Sequence, residues 1–307
     1  MTQPAAAQAW SRQDAWRWGA GRLGAAGVDP RDAQLEAEVL LRHAAGLTRE
    51  ELLARPLTPL AREAASAYEA LIARRAAGVP GAYLVGHREF FGIDLLVDPR
   101  VMIPRPETER LVELLVEALR NHPAPFVADI GTGSGAIAIA VARSLPRARV
   151  LATDLSTGAL EVAQVNAARA GVADRIRWAE GPGLEPLSRA ELEGRVDAVA
   201  SNPPYIPTEE IATLPREVRD GEPAIALDGG PDGLSVHRPI IRWAGRYLVP
   251  GGLLALEVAA VWRQAQTVAR LVDAAGMFTP ARIVRDDAGA ERVVMAERVG
   301  RDGNHRG

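Results

Sequence analysis

Residues Ser201-Asn202-Pro203-Pro204-Tyr205 are poor core material at the mouth of an apolar run, Val196-Asp197-Ala198-Val199-Ala200, that reads as a buried strand. Proline removes a backbone donor and fixes its own φ, so Pro203-Pro204 predicts a stiff, extended corner that aims carbonyl oxygens outward. Asn202 adds a side-chain carbonyl, an acceptor that does not act as a base at neutral pH. Tyr205 adds a flat face. Two acceptors and a ring suit a planar –NH2 group, with Asn202, Pro203 and Tyr205 as the catalytic set and Asn202, Pro203, Pro204 and Tyr205 as the substrate contacts. Amide and aniline-type nitrogens are weak nucleophiles, and the chemistry such a corner offers them is positioning and stabilisation of developing charge. Adenine, guanine and cytosine amines and a glutamine side chain all present such a group, so the corner alone points to an amine-modifying enzyme and no further.

A second group lies upstream. Asp129-Ile130-Gly131-Thr132-Gly133-Ser134-Gly135-Ala136 closes one strand-like run and opens a helix. Glycines there let a backbone approach a ligand, and the helix start favours negative charge. Asp154 closes the next strand, about 20 residues on, where a carboxylate can accept both hydroxyls of a ribose. The ligand is therefore expected to be an adenosine derivative. Gly131, Gly133 and Ala136 also satisfy a loose dinucleotide pattern. The G-x-G-x-G spacing, the terminal hairpin described below and the amine grip favour S-adenosylmethionine at the glycine loop and Asp154. The absence of cysteine excludes thiolate metal sites and a cysteine nucleophile. The histidines at 43, 87, 122, 237 and 305 lack metal-ligand spacing and read as surface or loop residues, so no metal site is expected.

The elements that must position these groups follow from periodicity. Residues 126–130, 150–153, 175–178, 196–201 and 253–258 are short apolar runs, with helical stretches at 135–145, 157–170, 235–248 and 262–275. Such alternation implies a parallel sheet with helices on both faces. Residues 282–285 and 293–296 read as a final hairpin that adds an antiparallel strand. The fold class is α/β: a Rossmann-like, class I methyltransferase type of domain with a mostly parallel seven-stranded sheet, plus a small N-terminal helical bundle.

That bundle is expected to have three helices. The first carries Trp10, Trp16 and Leu23. Asp32 caps the second, with Leu35, Val39, Leu40 and Leu41 on its apolar face. The third runs from 59 to 77 with Ala64, Tyr68, Leu71 and Ile72. The N-terminal tryptophans are expected in the core. Gly78-Val79-Pro80-Gly81 breaks the pattern, and residues flanking Gly92 predict a β-hairpin. Pro106 suits a first helical position, with Glu107 and Glu109 in the favourable first turn. The expected divisions are a helical substrate-binding domain at 1–78, a hairpin linker at 79–105, the methyltransferase domain at 106–299 and a disordered tail at 300–307.

A formal net charge of -3 gives no sign of a nucleic-acid-binding surface. No apolar stretch is long enough for a bilayer, and residues 1–10 lack the pattern of a signal peptide. The expectation is a cytoplasmic monomer bound to neither membrane nor nucleic acid.

Over nearly its whole length the chain resembles the bacterial peptide chain release factor N(5)-glutamine methyltransferases. The residues that carry this are Tyr83-Leu84-Val85-Gly86, Arg88-Glu89-Phe90, Ile103 to Glu109, Asp129 with Gly131 to Gly135, Asn202 to Tyr205, Glu217-Val218-Arg219 with Glu222-Pro223, Ala226 to Gly230, and Asp232-Gly233-Leu234. The resemblance implies methyl transfer from S-adenosylmethionine, held by Gly131, Thr132, Gly133, Ser134, Gly135, Asp154, Gly183 and Asn202, to the glutamine of a Gly-Gly-Gln loop on release factors 1 and 2, with the N-terminal bundle helping to hold that protein. A sister family acts on a ribosomal-protein glutamine and usually differs just after the Pro-Arg pair, so Pro106-Glu107 favours release factors. An adenine-N6 methyltransferase on nucleic acid is the other alternative. Arg105 and Glu107 are expected to be structural. The pattern departs at Pro182-Gly183, where the family has an acid and an aromatic that contact adenine. It departs again between Glu257 and Gln264, which replaces a shorter Glu-x-Gly-x-x-Gln.

Overall fold

The computed structural model describes residues 10–300. The readings of residues 1–9 and of the tail beyond Gly300 lie outside the described residues. Two compact units emerge, Met1–Gly86 with Pro215–Gly221, and His87–Leu214 with Glu222–Gly307. The expected linker at 79–105 is thus split at Gly86, and a short later segment joins the first unit.

In the first unit, helix α1 (Arg12–Ala25) starts at Ser11, whose Oγ accepts from the Asp14 amide at 3.1 Å. Helix α2 (Pro30–Ala45) is capped by Asp29 rather than Asp32. Pro30 fixes the first helical position, so the cap must be the residue before it, and Asp32 falls in the first turn. Helix α3 (Arg49–Ala54) was not expected. It is too short to show a period, but Thr48 and Glu51 form a reciprocal capping box. Helices α4 (Arg62–Ala76) and α5 (Gly81–Val85) follow. Leu23, Leu40, Leu41, Leu52, Tyr68 and Ile72 form the core, with Trp10, Trp16 and Trp18 partly buried against it. Leu35, expected on the apolar face, is 55% exposed.

The second unit opens with the expected hairpin. Strands β1 (His87–Phe90) and β2 (Ile93–Leu96) pair antiparallel. A 3₁₀ turn at Pro106–Thr108 leads into α6 (Glu109–Leu119). The main sheet comprises β3 (Phe126–Ile130), β4 (Arg149–Asp154), β5 (Ile176–Glu180), β6 (Val196–Ser201), β7 (Leu248–Glu257), β8 (Arg282–Arg285) and β9 (Glu291–Glu297), in the order β5-β4-β3-β6-β7-β9-β8. All pairs are parallel except those of β9, which runs antiparallel to β7 and β8. Strand β7 begins at Leu248, earlier than expected, because Pro250-Gly251-Gly252 interrupts the apolar run at a register shift.

The linking helices are α7 (Ala136–Ser144), α8 (Thr157–Arg169), α9 (Glu185–Arg189), α10 (Arg216–Arg219, in the first unit), α11 (His237–Tyr247) and α12 (Gln264–Ala274). Successive strand residues face opposite sides. Val127, Ala198, Ala200 and Ala255 therefore meet α6 and α7, while Ala128, Val199, Leu254 and Leu256 meet α11 and α12. From β3 the chain first builds outward to β4 and β5, then returns to place β6 on the other side. Crossovers diverge at that reversal and leave a crevice beyond the strand ends, the usual ligand position in such sheets.

Candidate active site

A cavity of about 310 Å³ occupies that crevice, at the exits of β3, β4, β5 and β6. Gly131, Thr132, Gly133, Ser134, Asp154, Gly183, Asn202, Pro203 and Pro204 all line it. Sequence residues far apart are thus brought to one place by parallel strands that end at the same level.

The glycine loop is internally bonded. The amides of Gly131 and Thr132 both donate to the Thr153 carbonyl, at 2.9 and 2.8 Å, and Gly135 donates to Thr132. The Gly133 amide donates to Asp154 Oδ2 at 2.8 Å, and Asp154 Oδ1 accepts from the Ser156 amide at 2.9 Å. Burial raises the Asp154 pKa. Beneath the loop, Asp129 Oδ2 accepts from the Thr132 hydroxyl at 2.7 Å and the Ala138 amide at 3.1 Å, while Oδ1 has no partner among the described residues. Burial pushes the Asp129 carboxyl up to about 7.

The glycines divide in role. Gly131 and Gly133 have φ of +73° and +56°, and a Cβ on either would meet nothing within 4 Å. Their free side faces the cavity. Gly135, expected among the ligand contacts, does not line the cavity. At φ +85° its Cβ would stand 2.8 Å from Ile139 and 3.1 Å from Ala163, so it lets the start of α7 press against α8.

At the proline corner, the Asn202 Nδ2 donates to Thr108 Oγ1 at 3.0 Å. Asn202 Oδ1 and the Pro203 carbonyl make no hydrogen bond among the described residues. The corner is held from behind. Ser201 Oγ donates to the Ile130 carbonyl at 2.6 Å, tying β6 to β3. Gln264 Nε2 donates to the Tyr205 carbonyl at 2.9 Å, while Gln264 Oε1 accepts from the Ala259 amide at 2.7 Å. A Cβ at Gly229 would lie 2.8 Å from the Pro204 carbonyl, and one at Gly233 would lie 2.4 Å from the Tyr205 carbonyl. Tyr205 itself does not line the cavity. The Glu257 carboxyl at the end of β7 is buried, and its Oε2 has no hydrogen-bond partner among the described residues. Burial raises the pKa of both Tyr205 and Glu257, the latter up to about 7.

Several lining residues went unread in the sequence: Met102, Thr108, Leu155 and Ile225. Leu155 carried a signal, an apolar residue just past a strand-ending acid, and it is 54% exposed. Thr108 and Gln264 lie in runs already noted, but nothing local marks them as partners of the corner. His237 is corrected from a surface residue to a fully buried one. Its Nε2 lies 2.9 Å from the Glu257 carbonyl, and burial lowers its pKa to about 4. Arg105 pairs with the buried Glu222, which also accepts from the Ile103 amide at 3.1 Å. Glu107 stands 3.7 Å from Arg292. Pro182 and Gly183 both line the cavity, where the resembled family would place an acid and a ring.

Known proteins resemble this chain along most of its length. Residues 14–86 match the PrmC N-terminal domain, and residues 107–216 match the methyltransferase small domain. The release factor glutamine methyltransferase of Moorella thermoacetica is 49% identical over 278 residues, covering 90% of this chain and 95% of that protein. That of Geobacter sulfurreducens is 43% identical over 286 residues, covering 93% and 96%. Among solved structures, the hMettl16 catalytic domain in complex with MAT2A 3′UTR hairpin 6 gives a TM-score of 0.50 at 16% identity, covering 75% of this chain and 81% of that one. At that identity the likeness concerns the fold alone. By the extent and identity of its full-length matches, the chain belongs to the release factor glutamine methyltransferase family.

Proposed function

We propose that this protein transfers a methyl group from S-adenosylmethionine to the side-chain nitrogen of the glutamine in the Gly-Gly-Gln loop of release factors 1 and 2. The observation that carries the reading is the Asn202 amide: its nitrogen is committed to Thr108, so its oxygen is turned to the guest.

The cavity residues fit S-adenosylmethionine. The amides of Gly131, Thr132, Gly133 and Gly135 are bonded within the protein, to Thr153, Asp154 and Thr132, so the loop is pre-shaped without a ligand. Asp154 is fixed by two backbone amides yet keeps lone pairs for ribose hydroxyls. Leu155 offers an apolar face for a purine. Open space before Gly131 and Gly133 leaves room for the ligand at the backbone. The bound cofactor supplies an electrophilic sulfonium methyl.

The chain's own residues do the rest. Asn202 Oδ1 and the Pro203 carbonyl accept the two N–H bonds of the glutamine carboxamide. That fixes the nitrogen and favours the positive charge that develops on it. The proton then leaves to water. The N-terminal helical unit helps hold the release factor.

The test is incubation with methyl-labelled cofactor and release factor 1, release factor 2, DNA or RNA, followed by peptide mass mapping. Label on the Gly-Gly-Gln glutamine is expected, and none on a Gly-Gly-Ala variant. Label confined to nucleic acid, or to another glutamine protein, overturns the reading.

A further inference from the structure

Pro203 and Pro204 have no N–H, so neither can fasten the corner by donating a hydrogen bond. The fastening comes instead at a carbonyl, that of Tyr205, from Gln264. Gln264 starts α12, is 3% exposed and does not line the cavity. Its Oε1 accepts from the Ala259 amide at 2.7 Å, and its Nε2 donates to the carbonyls of Tyr205 at 2.9 Å and Gly233 at 3.3 Å. A glutamine carboxamide supplies the acceptor and both donors on one side chain. Gly233 makes way for it, since a Cβ there would lie 2.9 Å from Gln264 Nε2.

The turn that delivers Gln264 is strained. Trp262 and Arg263, the two residues before it, have φ of +59° and +51°. Consecutive non-glycine residues in the left-handed region crowd their Cβ atoms against the backbone. Burial of the turn does not offset this, because Val261 is 54% and Trp262 44% exposed. What the turn achieves lies inward. The Gln264 amide donates to the Val261 carbonyl at 3.3 Å, and the side chain meets three separate backbone segments. Strain of this kind is kept where a site depends on it.

We propose that Gln264 is a positioning residue for methyl transfer: by holding the Tyr205 carbonyl it fixes where Asn202 Oδ1 and the Pro203 carbonyl stand. It touches neither substrate nor cofactor. Two prolines stiffen the corner internally but do not stop it pivoting as a body. A reacting geometry displaced by about 1 Å can lose on the order of 100-fold in rate. The kinetic arms of the test rest on the proposed glutamine methylation; the spectroscopic arm does not.

The full chain is compared as wild type, Gln264→Leu and Gln264→Glu. Gln264→Leu removes all three hydrogen bonds and is expected to lower kcat by about 10- to 100-fold. Kd for S-adenosylhomocysteine should stay within about 3-fold. Gln264→Glu keeps the shape and the acceptor. Ionised, it sets a carboxylate against two carbonyls; protonated, it has one O–H to give to Tyr205. Its kcat relative to wild type should therefore rise about 5-fold or more from pH 9 to pH 6, while that ratio for Gln264→Leu stays flat. The three bonding partners are backbone groups that do not titrate, and Tyr205, His237, Glu257 and Arg263 are common to all three proteins. In parallel, protein labelled with ¹⁵N-asparagine has four side-chain amides, and Asn202→Ala identifies the one at the corner. Its signal should move in Gln264→Leu, while that of Asn166, bonded to the Leu96 and Ser134 carbonyls, stays. Should Gln264→Leu not fold, two changes at Arg263 carry the same readouts. Arg263→Val resists a positive φ and should lower kcat and move the Asn202 signal; Arg263→Gly suits that φ and should do neither. Wild-type kcat in Gln264→Leu, a pH-independent ratio for Gln264→Glu, an unmoved Asn202 signal, or equal behaviour of the two Arg263 variants each overturns the proposal. If wild type leaves release factor unmodified, the reading of function fails while the Asn202 signal still decides the positioning.

Discussion

Asn202 stays neutral across the pH range in which the protein is folded, so its oxygen accepts without competing for a proton. Replacing it by alanine leaves the glycine loop and Asp154 untouched. Asn202→Ala is expected to reduce turnover by about 100-fold or more, with cofactor affinity within a few-fold, as checked by labelled-methyl assays beside calorimetry. Turnover near wild type would remove the corner from the mechanism. The glycines allow a paired prediction at the same scale. Gly135→Ala meets Ile139 and Ala163 at a positive φ, so it should lower stability by about 2–4 kcal/mol in urea titration. Gly131→Ala shares the strained φ but meets open space. It should unfold with a smaller loss, about 1–2 kcal/mol, while weakening cofactor binding. Equal losses of stability in the two would contradict the division of roles.

At the scale of elements, the exits of parallel strands gather carboxyls into a place with little water. Asp129 ends near the glycine loop and Glu257 ends β7, and burial pushes both up to about 7. Below the ordinary carboxylate range both folded and unfolded chains hold these protons, so the groups cost nothing. As pH rises toward 7 the unfolded chain ionises first, and stability falls until the folded groups ionise as well. His237 works in the opposite sense. Its pKa is depressed to about 4, so it loses stability as pH falls below the ordinary histidine range. The clean measurement is therefore a difference. Glu257→Gln minus wild type should become more stabilising from pH 5 to pH 8, by on the order of a few kcal/mol. A difference that is flat with pH would mean that Glu257 ionises normally in the folded protein.

At the scale of the molecule, the chain leaves the second unit at Leu214 and returns at Glu222. Within the first unit, Arg75 is 3% exposed and Nη2 donates to Glu36 at 3.1 Å and to Glu217 at 3.4 Å. Gly221 leaves no room for a Cβ, which would lie 2.7 Å from Pro80. Arg75→Met removes the shared cation. Both carboxylates are partly exposed and can rehydrate, so the expected loss is modest for a buried pair, about 1–3 kcal/mol. Limited proteolysis should show faster cleavage within Pro215–Gly221. Unchanged cleavage would mean that apolar packing alone retains the segment. No helix among the described residues is long and apolar enough to cross a membrane.

The linear sequence determined the architecture because strand and helix periods are local. The runs 126–130, 196–201 and 282–285 coincide with β3, β6 and β8, and the final hairpin does supply the antiparallel strand, β9, between β7 and the edge strand β8. It also determined the chemistry-bearing loops, since Gly131, Asp154 and Asn202 each close a readable strand. Tertiary structure alone decided what stands behind those loops. That Thr108 holds the Asn202 nitrogen, that Gln264 holds the Tyr205 carbonyl, and that Gly135 lets α7 press against α8 depend on contacts across 94, 59 and 28 positions of chain. The same holds for His237 being buried. A side chain's identity states what bonds it can make; only the packing of distant strands states which of them it does make.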